Sequence, residues 1–259
     1  MLGLLIGGCG VLGLIVGSFL NVVIYRVPRQ ESIISPRSKC PHCDTPILER
    51  DNIPVLSWLL LRGQCRACHG PISVRYPLVE LSTGLLYAGA AARMGLQWAL
   101  PAFLVMLASL LALSCIDVEK LVLPLRIVYP TFLLMAALLA FAAGLDHEWH
   151  RFLTALITAG AWYVMFFVLN LASPRLLGFG DVRLSLVLGL GLGWLGWRYA
   201  VLGFFVANLI GAVVGITLIA TKRMSRDQQI PYGVFLALGA GIALYAGPEL
   251  LAPFQSLHY

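Results

Sequence analysis

What most limits how this chain can fold is a succession of long apolar runs separated by short polar breaks. The runs cover residues 2–24, 77–92, 99–116, 127–144, 152–170, 182–195, 200–220 and 232–251. Most approach the ~20 residues with which an α-helix crosses ~30 Å of hydrocarbon. In lipid each backbone amide must be satisfied inside its own segment, so runs of this kind fold as helices. The sequence therefore predicts an all-α polytopic membrane protein with about eight transmembrane helices. Asp, Glu, Lys and Arg make up only 12% of the residues against 59% hydrophobic, which excludes an ordinary soluble domain. The run 182–195 is short and carries Gly189, Gly191 and Gly193.

No Lys or Arg precedes the first run, while Arg26 and Arg29 follow it. It reads as an uncleaved first helix with its N-terminus outside. Alternation then places 26–76, 117–126, 171–183 and 221–230 on one side. These segments hold 15 of the 18 Lys and Arg residues, Arg37, Arg175 and Arg226 among them, and leave Arg93, Arg151 and Arg198 opposite. The bias marks that side as cytoplasmic. The net charge of +6 thus reports orientation and contact with anionic membrane lipid. No aromatic-interleaved basic patch for nucleic acid is present. The domain reading is a first transmembrane helix at 1–25, a cytoplasmic loop domain at 26–76 and a seven-helix membrane domain at 77–259. Gly3, Gly7, Gly13 and Gly17 offer a smooth face for helix packing. Tyr25, Trp58, Tyr76, Trp162 and Trp194 are expected as interfacial anchors.

Between 26 and 76 the composition turns polar, with Pro28, Pro36, Pro41, Pro46, Pro54 and Pro71 breaking regular structure. Here lie Cys40-Pro41-His42-Cys43 and Cys65-Arg66-Ala67-Cys68, separated by 21 residues. Two Cys-x-x-Cys knuckles supply four thiolates for a tetrahedral zinc of the structural type. The rival readings are a redox pair and a site in which His42 or His69 replaces one cysteine. Cys9 and Cys115 lie in apolar runs and read as small buried hydrophobes.

A carboxylate at the edge of an apolar span is costly and needs a reason. Asp117 ends the run 99–116, and Asp181 opens the run 182–195 behind Gly178-Phe179-Gly180. The topology puts both on the cytoplasmic side. Two carboxylates held within a few Å share a proton, so that one acts as base on a water while the other protonates a carbonyl. That is the arrangement of an aspartyl protease. Gly178 and Gly180 are expected to allow φ > 0 and close passage of an extended substrate. The plainer reading is a loop glycine pair beside a helix N-cap Asp.

Several separate motifs occur in one order along the chain. They are Gly17-Ser18-Phe19-Leu20-Asn21-Val22-Val23-Ile24-Tyr25-Arg26, the two cysteine pairs, Asp51-Asn52-Ile53-Pro54-Val55 and Leu61-Arg62-Gly63-Gln64-Cys65-Arg66. Ile72 to Leu81, Ile116-Asp117 with Pro124, Gly178-Phe179-Gly180-Asp181 and Ile230-Pro231-Tyr232-Gly233 follow. Nearly end to end, the chain resembles the bacterial type IV prepilin peptidases, the leader peptidases and N-methyltransferases of pili and type II secretion. The resemblance implies a GxGD-type aspartyl protease of the inner membrane with Asp117 and Asp181 as the catalytic pair at the cytoplasmic face. Gly178, Gly180 and Arg183 then form the active-site loop, and Cys40, Cys43, Cys65 and Cys68 the zinc ligands. The implied substrates are prepilins or pseudopilins, whose basic leader is cut after a glycine, before a hydrophobic helix. Methylation of the new N-terminus from S-adenosylmethionine is implied as well. Arg183 stands where the family usually has Lys, Leu125 where Asp is common, and Val234 where Pro is frequent.

Two other classes compete. A proton- or cation-coupled transporter would use Asp117 and Asp181 as a relay, but would set them near the midplane and often show inverted repeats. A membrane scaffold would use the zinc knuckles to dock a partner. Glu31, Asp44, Glu49, Asp51 and Glu119 are candidates to receive a basic leader.

Overall fold

A computed structural model describes residues 1–35, 38–173, 177–223 and 230–255. Pro36, Arg37, Arg175 and Arg226 lie outside the described residues. The described chain is helical with no strand, only isolated bridges at Lys39–Pro46 and Gln64–Pro71. It divides into two compact units, Met1–Leu96 and Gln97–Tyr259.

In the first unit, α1 (Leu2–Arg26), a short α2 (Leu56–Leu60) and α3 (Arg75–Met94) frame the cysteine loop. Helices α1 and α3 run antiparallel at close range, because glycine removes the side chain where the backbones meet. A Cβ on Gly13 would fall 2.6 Å from the Thr83 carbonyl, and one on Gly17 would fall 2.6 Å from Glu80 Cα. Gly3 and Gly7 meet nothing within 4 Å, so of the four glycines singled out in the sequence only the pair nearer the loop makes this seam.

The second unit comprises α4 (Leu100–Lys120), α5 (Leu125–Asp146), α6 (Trp149–Ala172), α7 (Phe179–Leu195), α8 (Trp197–Ala220) and α9 (Tyr232–Gln255). Its centre is α7, which touches the other five helices and is buried almost continuously from Asp181 to Trp194. At 17 residues it is ~25 Å long. Among the described residues six helices are long and apolar enough to cross a membrane: α1, α4, α5, α6, α8 and α9. The expected eight is thus approximate, since α7 is too short to be counted and α3 is not among the six. The glycines of α7 let α6 lie directly on it: a Cβ on Gly189 would sit 2.7 Å from Ala159 Cα, and one on Gly193 2.9 Å from Ala155 Cα. Because the obstacle is backbone, Gly189→Val is expected to cost about 1–3 kcal/mol. A lowered melting temperature of the detergent-solubilised protein would register it; an unchanged one would refute the close contact.

The aromatic residues correct one expectation. Trp162 and Trp194 are buried, and Trp162 stacks on Phe166 with ring centroids 5.7 Å apart. Trp58 caps Gly63 and donates its indole N–H to the Ile72 carbonyl at 3.0 Å. Trp162 and Trp194 fill space inside the protein and Trp58 is half-buried; the exposed tryptophans are Trp98, Trp149 and Trp197.

Candidate active site and metal centre

Asp117 lies inside α4, three residues before its end, rather than beyond it. The helix continues to Lys120 and is closed by Leu121 in the left-handed conformation (φ 53°), whose N–H bonds the Asp117 carbonyl at 2.8 Å. The side chain is therefore carried by a rigid last turn and is only 5% exposed. Its Oδ2 is buried without a hydrogen bond. The backbone amides of Gly233 and Val234, at the start of α9, face the carboxyl, and a Cβ on Gly233 would come 2.9 Å from Oδ2.

Asp181 is in the first turn of α7 and is 7% exposed. The N-cap is Gly178, not Asp181, and the Asp181 N–H bonds the Gly178 carbonyl at 3.1 Å. A carboxylate in this position faces the positive end of the helix dipole. Neither Gly178 nor Gly180 has positive φ, which corrects the sequence expectation. Their role is clearance: a Cβ on Gly180 would be 3.0 Å from Leu123, and one on Gly178 would be 3.3 Å from Asp181 Oδ2. Leu123 also reaches to 3.3 Å of the Gly233 position, so one leucine from the α4–α5 link wedges between the ends of α7 and α9. Leu123 thus borders both acids: it packs at Gly180, next to Asp181, and at Gly233, whose Cβ position lies 2.9 Å from Asp117 Oδ2. The Tyr232 hydroxyl donates to Asn208 Oδ1 at 3.2 Å. Arg183 turns away onto Phe179, 4.4 Å from the ring centroid, with its Nε buried and unbonded.

In the first unit the four cysteines converge. Ligand atoms of Cys40, Cys43, Cys65 and Cys68 all lie within 4.8 Å of one another, and neither His42 nor His69 belongs to the group. The Cys40 and Cys68 sulfurs are 3.8 Å apart. Tetrahedral coordination at ~2.3 Å requires a sulfur–sulfur edge of ~3.8 Å, so the cluster is compatible with zinc. The two knuckles repeat one another. Cys40 N–H bonds Thr45 O at 3.0 Å and Cys65 N–H bonds Gly70 O at 2.8 Å. The residues after each second cysteine, Asp44 and His69, both have positive φ. The Cys43 Sγ donates to the Thr45 Oγ1 at 3.2 Å, which ties the second cysteine of the first knuckle to its own turn. Of the acids expected to receive a leader, Asp51 is gripped by both nitrogens of an Arg66 fork at 2.7–3.1 Å, which lowers its pKa. Asp44 is paired with Lys39.

Residues 11–94 match the family model described as the bacterial peptidase A24 N-terminal domain, and residues 104–216 that of the type IV leader peptidase family. The prepilin leader peptidase/N-methyltransferase of Stutzerimonas stutzeri is 35% identical over 94% of this chain and 91% of its own length. The chain belongs to the type IV leader peptidase family. A second member, from Aeromonas hydrophila, is 37% identical over 92% of this chain and 89% of its own. That of Myxococcus xanthus (strain DK1622) is 46% identical over 86% and 67%. No solved structure matches. Within a leader peptidase, Tyr232, Gly233 and Leu123 are the site neighbours that sequence reasoning did not assign. For the first two, a Pro-Tyr-Gly step opening an apolar run was a usable signal; Leu123 offered none.

Proposed function

We propose that this chain is a multi-pass membrane aspartyl endopeptidase that removes the leader of prepilins and then N-methylates the exposed terminus. The observation that supports the peptidase reading is two buried carboxyls, Asp117 in the last turn of α4 and Asp181 in the first turn of α7, bordered by one residue, Leu123, which packs at Gly180 beside Asp181 and at Gly233 beside Asp117. One carboxylate takes a proton from water, whose oxygen attacks the scissile carbonyl carbon. The other, protonated, donates to the carbonyl oxygen. Collapse of the tetrahedral species passes a proton to the departing amine. Gly180 and Gly233 leave room for Leu123, and Gly233 for the Asp117 carboxyl, so that the helix ends carrying the two acids can close on the α4–α5 link. Family likeness supports a basic leader cut after a glycine and extends the substrates to pseudopilins. S-adenosylmethionine supplies the methyl group. Cys40, Cys43, Cys65 and Cys68 would hold a zinc whose closed coordination fixes the loop and leaves no open position for chemistry.

Purified protein incubated with a prepilin should yield a shorter product beginning at the old +1 residue, and labelled S-adenosylmethionine should mark that terminus. Absence of the shorter product would overturn the peptidase reading.

The charge asymmetry supports an inner-membrane protein with the acids at the cytoplasmic face. Alkaline phosphatase fused after Asp146 should be active and after Thr221 inactive. The reverse pattern would overturn the orientation.

A further inference from the structure

A polar cluster lies in the seam between α1 and α3 that peptide cleavage does not use. Glu80 is 8% exposed. Its Oε2 accepts the Val55 N–H at 2.6 Å, and the Ser18 hydroxyl is directed to the same carboxyl. Asn21, across the seam, is 2% exposed. Its Nδ2 donates to the carbonyls of Gly17 at 3.3 Å and Tyr76 at 3.1 Å. Carbonyls only accept, so the amide orientation is fixed by this pair and Oδ1 points the other way. That oxygen is buried with no donor. Gly17 sets the spacing, since its Cβ would touch Glu80 Cα. Asn21 is four residues further along α1 and Tyr76 four residues back along α3, ~6 Å in each case.

Val55 has φ 61° and ψ −49°, a region that a β-branched residue enters only under constraint. It centres a tight turn in which the Leu56 N–H reaches the Pro54 carbonyl at 2.6 Å. Strain held in place by a buried acid is a mark of functional sites. The free capacity in this seam is all acceptor: a carboxylate and an amide oxygen. A cationic donor is what would complete it.

We propose that this seam receives the α-amine of the cleaved pilin for methylation, with Glu80 as its base and Asn21 Oδ1 as a second acceptor. The inference rests on the methyltransferase reading above. Depth agrees with it. Asn21 lies five residues inside the end of α1 and Glu80 five residues inside the start of α3, ~8 Å in from each end. A substrate whose hydrophobic helix starts at its first residue presents its amine near that level. In the reaction the ammonium gives a proton to the Glu80 carboxylate. The freed nitrogen lone pair bonds the methyl carbon as that carbon's bond to the sulfonium sulfur of S-adenosylmethionine breaks, its electrons leaving on the neutral thioether. The product is a methylammonium, and Glu80 passes its proton to water.

Glu80→Gln keeps the volume and an acceptor for the Val55 N–H but removes the base. With already cleaved, unmethylated pilin as substrate, the variant should methylate at least about 100-fold more slowly than wild type, with an unchanged melting temperature. Methylation within threefold of wild type would overturn the assignment. Wild-type protein that methylates nothing would overturn the methyltransferase reading and this inference with it. A second measurement needs no variant: as inhibitors of wild-type methylation, free-amine pilin peptide should compete at least about tenfold better than its N-acetylated form. Equal competition would show that the seam holds only structural water.

Discussion

Asp117→Asn and Asp181→Asn are each expected to lower prepilin cleavage by at least about 10²- to 10⁴-fold while leaving insertion and melting temperature nearly unchanged. An amide fills the same space but neither accepts the proton of the attacking water nor shares one with its neighbour. Asp117→Asn carries an added consequence. Its Oδ2 has no partner in the resting protein, so the substitution removes no hydrogen bond at that atom that folding depends on. A cleavage time course with each variant, alongside its thermal melt, checks both parts. Retention of more than a few per cent of the rate in either one would refute the acid pair.

Purified protein should contain about one zinc per chain, and Cys43→Ser combined with Cys68→Ser should remove it. One cysteine is lost from each knuckle, so the pairing of the two turns is lost together with the metal. The segment between Arg29 and Arg75 has few buried residues, and its order then depends on the metal. Limited trypsin digestion should cut there at least about tenfold faster in the variant, or in wild type stripped by a chelator. Lowering the pH should release the metal as thiolates are protonated. Full zinc occupancy in the double variant would exclude the site.

The parts of this arrangement that were legible in the sequence are those carried by composition and short spacing. Apolar runs located the helices because lipid permits little else, and Cys40, Cys43, Cys65 and Cys68 announced their convergence through their spacing. Asp117 and Asp181 stood out because a charge beside an apolar run is rare. The same rule covers Glu80, inside the run 77–92. What sequence did not give was set by contacts between distant segments. Trp162 and Trp194 have the chemistry of interfacial rings but are enclosed by neighbouring helices. Gly178 and Gly180 suggested positive φ and close passage of a substrate backbone, yet neither has positive φ, α7 starts at Phe179 and their hydrogen atoms serve as clearance for Asp181 and Leu123. Leu123 looks like any leucine until α7 and α9 close around it.

Both acids are set into helix ends and almost shut off from water; as the proposed catalytic pair, they would constrain which peptide bond can be cut. A bond within a helix has its N–H and C=O engaged by its own turns, and the acids on α4 and α7 are too short and too firmly held to reach around a helical cylinder. A bond just before a helix is different, because the first four N–H groups of any helix lack intrahelical partners and the chain leading in is extended. A site built this way selects its bond by the boundary between extended and helical chain, and needs no deep side-chain pocket to find it. Proteins that share a leader junction but differ in everything beyond it would then be processed alike.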